Sequence, residues 1–131
     1  RLAAIAAKTV KEVTYHVRHS AGWMVRLGDG TDESHRRMQA ALDEMWPYAG
    51  EMFQTDPIED AVVAAGIGVD RAVLRPLWDR RVNEVLAESM LKRPDDIWAP
   101  AAGTTGVHTE HLGHMLAEMQ FLQRAYPGAA W

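Results

Sequence analysis

The sequence predicts an all-α fold, on three observations. Apolar residues recur at three- and four-residue steps along most of the 131 residues. No stretch alternates polar and apolar residues convincingly in the manner of a half-buried strand. The periodic runs are separated by short connections carrying glycine, proline or aspartate, the residues that stop and start helices. Long amphipathic helices joined by short turns favour antiparallel packing in a bundle.

The first helix is predicted from Leu2 to Leu27. Ala3, Ala6, Val10, Val13, Val17, Ala21 and Met24 form one apolar stripe along a rod of ~39 Å. Ile5 and Trp23 lie off that stripe, which gives the helix apolar character on more than one side. Gly28-Asp29-Gly30 stops it, glycine being tolerant of the left-handed position beyond a helix end. A second helix follows Thr31 or Asp32, either of which can cap it. It turns Met38, Ala41, Leu42, Met45, Ala49, Met52 and Phe53 inward, with a kink at Pro47 where a backbone donor is lost. Asp56-Pro57-Ile58-Glu59 reads as N-cap, N1 proline and N3 glutamate, and opens a short helix through Ala65 that Gly66 ends. Asp70 caps the next, over Arg71 to Leu91, with Val73, Leu74, Leu77, Trp78, Val82, Val85 and Leu86 as its apolar set. Arg93 to Val107 is rich in Pro, Gly and Thr and reads as loop. A last helix runs from about Thr109 to Ala125, closed by Pro127-Gly128. Its inward residues are Leu112, Met115, Leu116, Met119 and Leu122. Gly113 within it costs ~1 kcal/mol relative to alanine and suggests a close helix approach.

Composition narrows the functional classes. Fourteen Lys and Arg against eighteen Asp and Glu leave a formal net charge of −4. Nucleic-acid binding rests on clustered cations, so this balance argues against it. There are no cysteines, which removes disulfides, thiolate metal sites and a cysteine nucleophile together. A reducing cytoplasm suits that composition. No apolar run approaches the ~20 residues that cross a bilayer. The chain begins at Arg1, inside a helical pattern, and reads as a fragment: a single helical domain fragment over residues 1–131.

Two polar stripes bear on chemistry. Glu12, His16 and His19 share a face of the first helix, with Lys8 one turn earlier. His111, His114 and Glu118 repeat the pattern on the last helix, with His108 and Glu110 just before. Helical bundles build di-iron sites from inward Glu and His, but such a site wants about four carboxylates and two Glu-x-x-His pairs. No glutamate here has a histidine three residues on: Glu12 is followed at that step by Tyr15, Glu110 by Gly113 and Glu118 by Phe121. Asp32 with His35 is the one acidic match, and it reads as a cap and a surface residue. A His-Glu-x-x-His zinc motif is absent, as are a phosphate loop with its lysine and a nucleophile elbow around Ser20, Ser34 or Ser89. The bland reading of Lys8, Glu12 and His16 is a set of (i, i+4) pairs. Tryptophans 23, 46, 78, 98 and 131 read as core or interface anchors. The methionines 38, 45, 52, 115 and 119 read as core filling. No residue is read as catalytic or cofactor-binding.

Three stretches together carry a resemblance. They are Ala6-Ala7-Lys8 with Lys11-Glu12 and Tyr15-His16-Val17-Arg18; Arg26-Leu27-Gly28-Asp29-Gly30-Thr31; and Gly106-Val107-His108-Thr109-Glu110-His111-Leu112-Gly113, continuing through Leu116-Ala117-Glu118-Met119-Gln120 and Leu122-Gln123-Arg124. Across essentially the whole chain the sequence resembles the C-terminal part of the PaaC-type subunits of bacterial phenylacetyl-CoA epoxidase, also called ring 1,2-phenylacetyl-CoA monooxygenase. That resemblance implies a ferritin-like helical bundle, of which only the C-terminal helices are present here. It implies a cytoplasmic multisubunit oxygenase of aerobic phenylacetate degradation. There a homologous sister subunit holds the di-iron centre and a reductase draws electrons from NADPH. This chain would be the scaffold, without cofactor of its own. Glu12, His16, His114 and Glu118 would then be vestigial metal positions, and Lys8, Glu12, Tyr15 and His16 would mark the interior where a site once stood.

Two other functions stay open from the residues. One is a ferritin-like di-iron protein using Glu12, His16, His114 and Glu118 with ligands from the absent part. The other is a helical interaction module without an enzymatic role. An incomplete bundle also exposes an apolar helix face, which predicts association into an oligomer, and the resemblance implies that the partners are the homologous di-iron subunit and the other oxygenase subunits.

Overall fold

The computed structural model describes residues 1–97, 103 and 106–130. Among them every regular element is helical: α1 (Leu2–Gly28), α2 (Asp32–Met45), α3 (Pro57–Ala64), α4 (Arg75–Glu88), α5 (Glu110–Met119) and α6 (Phe121–Ala125), with 3-10 segments at Trp46–Phe53 and Arg71–Leu74. The protein is all-α, as expected. No helix among the described residues is long and apolar enough to cross a membrane.

The capping residues set most of the boundaries. The Thr31 side chain accepts from the Ser34 amide, and the Ser34 hydroxyl accepts from the Thr31 amide, a reciprocal capping box. Asp56 accepts from the Ile58 and Glu59 amides, with Pro57 at the first helical position. Asp70 caps its 3-10 turn by accepting from the Ala72 amide. Gly66, at φ +70°, ends α3 with the Ile67 amide bonded to the Val62 carbonyl, a Schellman closure.

Prolines explain two departures from expectation. Pro47 does more than kink the second helix, because α2 ends at Met45 and the chain continues as a 3-10 helix to Phe53. Pro76 likewise divides the predicted 71–91 helix into a 3-10 turn and α4. In each case the missing N–H interrupts the i→i−4 ladder, and the tighter 3-10 pattern bridges it.

The far end of α4 is also earlier than expected, at Glu88. Met90 takes a left-handed φ of 58°, and the Leu91 amide bonds to the Leu86 carbonyl. Leu86 and Leu91 are both buried in the same cluster, which is the apolar contact that accompanies this closure.

The first helix does not stop by a left-handed glycine. Asp29 closes it at φ −95°, and Gly28 serves packing instead. A Cβ there would collide with the Ser89 carbonyl and lie 2.9 Å from Ser89 Cβ. His35 is correspondingly not a surface residue. Its half-buried ring donates from Nδ1 to the Gly28 carbonyl at 2.7 Å, since a carbonyl can only accept.

The core sits where α2 and α4 meet the last third of α1. Trp46, Leu86 and Leu91 are buried there, with Met24, Met38, Leu42, Trp78 and Val82 packed around them. Trp46 is outside the inward set that periodicity predicts, yet it anchors this cluster at 5% exposed. Ser89 is fully buried and donates its hydroxyl to the Val85 carbonyl, which satisfies it internally.

Much of the remaining apolar set is uncovered. Residues 2–20 of α1 are all exposed, including Val10, Val13 and Val17. So are Ala41, Met45, Met52, Val73, Leu74 and Leu77. On the terminal helices Met115, Leu116, Met119 and Leu122 are exposed and Leu112 is half-buried. α5 packs chiefly on α6. Nothing lies within 4 Å of a Cβ built on Gly113, so the close approach expected there is not made by the described residues. The periodicity identifies surfaces that want covering, and here only one end of α1 is covered.

Candidate functional site

The polar stripe of α1 takes shape from helical spacing alone. His16 Nε2 stands 3.8 Å from Glu12 Oε1, an (i, i+4) pair with side chains 66% and 74% exposed. Tyr15 stacks on His19 at 6.1 Å between ring centroids, and His19 meets Trp23 edge-on at 6.4 Å. Arg18 lies over the Tyr15 ring at 5.9 Å and Arg26 over Trp23 at 5.5 Å. The face is therefore an aromatic ladder at steps of four, edged by cations. The predicted stripe ends at His19. The 15, 19, 23 spacing, with Arg26 three beyond, carries the ladder on to Trp23.

Lys8, Glu12, Tyr15 and His16 are all exposed within these 131 residues. On the other candidate element, His111, His114 and Glu118 are exposed along α5. Among the described residues no group of three His, Asp or Glu side chains is placed to hold a metal ion. Glu12 with His16 is a two-member set, and His114 with Glu118 does not complete it. This donor set does not fit a di-iron centre, which needs carboxylates from several helices converging on one point.

A second polar cluster has no counterpart among the predicted stripes. Asp79 on α4 accepts from Arg75 Nε at 2.9 Å and from Arg93 Nη2 at 2.6 Å. Asp96 accepts from Arg75 Nη2 at 2.7 Å and from the Trp46 indole at 3.2 Å. Arg93 also donates to Asn83 at 2.7 Å, and its guanidinium covers the Trp46 ring at 4.9 Å. Arg75 stacks over Phe53 at 5.0 Å. Charge-assisted, partly bidentate bonds of this kind fix geometry. Here they clasp the segment after α4 against the buried tryptophan. Arg75 and Asp79 are visible in the sequence as an (i, i+4) pair, but Arg93 and Asp96 lie in the loop, where spacing predicts no partner. Residues 98–102, 104 and 105 of that loop, with Trp98, and also Trp131, lie outside the described residues.

The clasp makes a pH prediction. The hydrogen bond from Arg93 holds the Asp79 carboxyl below its ordinary 3.8; burial opposes this, and Arg75 adds to the lowering. A depressed folded-state value contributes stability that is present above the unfolded value and lost as pH falls through the folded one. Thermal midpoints measured from neutral pH downward should fall more steeply below about pH 4 for the wild type than for Asp79→Asn. Parallel curves would assign the clasp no role in acid stability.

The family whose profile matches residues 1–131 is described as phenylacetic acid catabolic protein. Over all 131 residues the chain is 47% identical to a component of 1,2-phenylacetyl-CoA epoxidase from Escherichia coli (strain K12), the one lettered C in that enzyme. The alignment covers 53% of that relative, so the chain spans about half the length of the curated protein it matches.

Proposed function

Because the chain belongs to the phenylacetic acid catabolic protein family, we propose that it is the non-catalytic structural subunit of a multicomponent oxygenase that epoxidises phenylacetyl-CoA in aerobic phenylacetate degradation. The observation that carries the reading is 47% identity, along the whole of this chain, to an epoxidase component. It is taken with a Glu12–His16 pair that no third ligand joins among the described residues. The oxygen chemistry then resides elsewhere. A homologous sister subunit holds the di-iron centre, and a reductase supplies electrons from NADPH. The cytoplasm, where coenzyme A esters and NADPH are found, is the proposed location.

In this reading α1 is one wall of a ferritin-like bundle completed by helices beyond the half of the relative that this chain spans. Lys8, Glu12, Tyr15 and His16 become interior when those helices close over the aromatic ladder. An exposed row of Tyr, His and Trp edged by Arg is the composition that burial in an interface rewards. His19, the third donor on that face, stacks on Tyr15 and does not converge with Glu12 and His16, so in this reading the closed interior is a packed, polar remnant of a metal site.

The test is co-expression of the full-length protein with the di-iron sister subunit and the reductase. The expected result is a stable complex that epoxidises phenylacetyl-CoA. The same complex carrying Glu12→Gln and Glu118→Gln should turn over within about twofold of wild type, whereas disturbing a metal's surroundings costs about ten- to a hundred-fold. Loss of turnover by an intact variant complex would reject the scaffold role in favour of a ligand role. Failure to associate with the sister subunit would leave only a general helical module.

A further inference from the structure

The connection that leaves α4 is fixed at both ends and held between them by side chains. Leu91 is buried in the core, and its amide bonds to the Leu86 carbonyl. Further on, the Gly103 amide donates to Glu51 at 2.7 Å. After Leu91 the chain runs Lys92-Arg93-Pro94-Asp95-Asp96, four charged residues and a proline. A run of this composition has no large apolar side chain to bury, whatever packs beside it. Among the described residues, the backbone–backbone bond made by residues 92–97 is from the Ile97 amide to the Asp95 carbonyl, within the segment itself.

Two ties hold these residues to the helices. Gln39 of α2 brackets Lys92, donating to its carbonyl at 2.9 Å and accepting from its amide at 2.8 Å. Arg93 makes the second tie. It reaches Asp79 and Asn83 of α4, bonds Asp96 at 3.4 Å, and lies over both Trp46 and Trp78. Asp96 in turn accepts from the Trp46 indole and from Arg75, which also holds Asp79. The bonds at this end therefore share partners, and bonds that share partners are lost together and not one at a time. None of them closes α4, whose last turn is completed by the Ser89 amide on the Val85 carbonyl and by Leu91 on Leu86.

We propose that residues 92–97 form a strap that opens as one unit over intact helices, with the Arg93 guanidinium as its pin. Opening carries Arg93 off the two indole rings and Asp96 off the Trp46 N–H. The Trp46–Trp78 stack is then bared on that side while Leu86 and Leu91 stay packed. Segments held by a few polar bonds open locally, at a free energy well below that of global unfolding. The opening stands apart from the scaffold function: a rigid strap leaves that function untouched, and loss of the sister subunit leaves the strap's bonds in place.

Hydrogen exchange of the native full-length protein, followed by NMR, reads both ends of the strap. The Lys92 amide on Gln39 reports one end, and the Trp46 indole N–H on Asp96 reports the other. The Leu86 amide reports α4, and Trp46→Phe identifies the indole signal. After correction for intrinsic rates, the two strap reporters should agree within about threefold and exchange well ahead of Leu86. Low urea should speed Leu86 and leave both of them unchanged, since local opening exposes little surface. Arg93→Met keeps the aliphatic stem and removes the guanidinium. It should speed both reporters ~10- to 100-fold, the worth of hydrogen bonds to a charged group, and leave Leu86 within about twofold. Gln39→Ala leaves the Arg93 bonds intact, yet it should speed the distant Trp46 indole about fivefold because the opening is shared. Lys92 exchanging in step with Leu86, in the wild type or in Arg93→Met, would overturn the proposal, because the strap would then leave only as α4 unfolds. An Arg93→Met effect confined to the Trp46 indole, or a Gln39→Ala effect confined to Lys92, would overturn it too, by showing two separate ties.

Discussion

Replacing Trp46 with alanine is expected to cost about 3–5 kcal/mol of folding stability, the range for removing a large buried aromatic side chain. The indole does three things at once. It fills the junction of α1, α2 and α4, it meets Trp78 at 5.6 Å between ring centroids, and its N–H holds Asp96. Truncation leaves a cavity that helices on three sides cannot all close, and it strands the Arg93 guanidinium that lies over the ring. A domain is stable by only about 5–15 kcal/mol, so the loss takes a large share of the total. Trp23→Ala is the control. Trp23 is as large but 48% exposed on the open ladder, and its removal should stay within about 0.5 kcal/mol when these residues are unpartnered. Urea unfolding followed by far-ultraviolet circular dichroism reads both. A Trp46→Ala midpoint equal to that of Trp23→Ala would mean that the core lies elsewhere.

Gly28→Val should be the next most damaging change, at about 1–3 kcal/mol or more, and a glycine substitution elsewhere should have the opposite sign. The added Cβ would strike the Ser89 carbonyl, which is backbone at the end of α4, and sit 3.2 Å from Leu91 Cγ. Neither neighbour can yield. Leu91 is fixed by the Schellman closure, and Ser89 is buried with its hydroxyl committed to Val85. The α1–α4 contact would have to open, weakening the bond from His35 to the Gly28 carbonyl as it does. Gly113→Ala, by contrast, meets nothing within 4 Å and sits inside α5, where alanine is favoured over glycine by ~1 kcal/mol. Thermal midpoints of the two variants should therefore move in opposite directions. Two falls of similar size would show that Gly28 has no special place at the α1–α4 junction.

The helices are legible in the sequence because their signals are local. Thr31, Asp56 and Asp70 each sit one step before a run of periodic apolar residues, and each makes its capping bond. The α1 stripe and the polar stripe opposite it follow from 3.6-residue geometry and need no tertiary information. Pro76 is as visible a signal as Pro47, and its effect is the same. What cannot be read is what depends on neighbours distant in sequence. Gly28 looks like a stop because nothing local says that Ser89 lies against it. Trp46 keeps α-helical geometry one turn beyond Leu42, and it is buried because α4 packs on the Met38–Leu42 face, whereas Met45, in the predicted set, is exposed. The clasp joins Asp79 to Arg93 and Asp96 across a helix end, where no fixed spacing applies. For the candidate site the legible part is negative. A missing Glu-x-x-His pair can be counted on paper, and α1 then presents Glu12 and His16 as a lone pair. No signal local to α1 says which surface closes over that pair, and its periodicity reports only that closure is wanted.

Iron content measured by elemental analysis, on the full-length protein loaded with ferrous iron and then desalted, most directly tests whether this chain is scaffold or metal centre. Well below one iron per chain is the expected result, since Glu12 with His16, and His114 with Glu118, offer too few converging donors to hold the metal through desalting. About two irons per chain, lost on Glu12→Ala and Glu118→Ala, would contradict it and make this protein an oxygen-activating component in its own right.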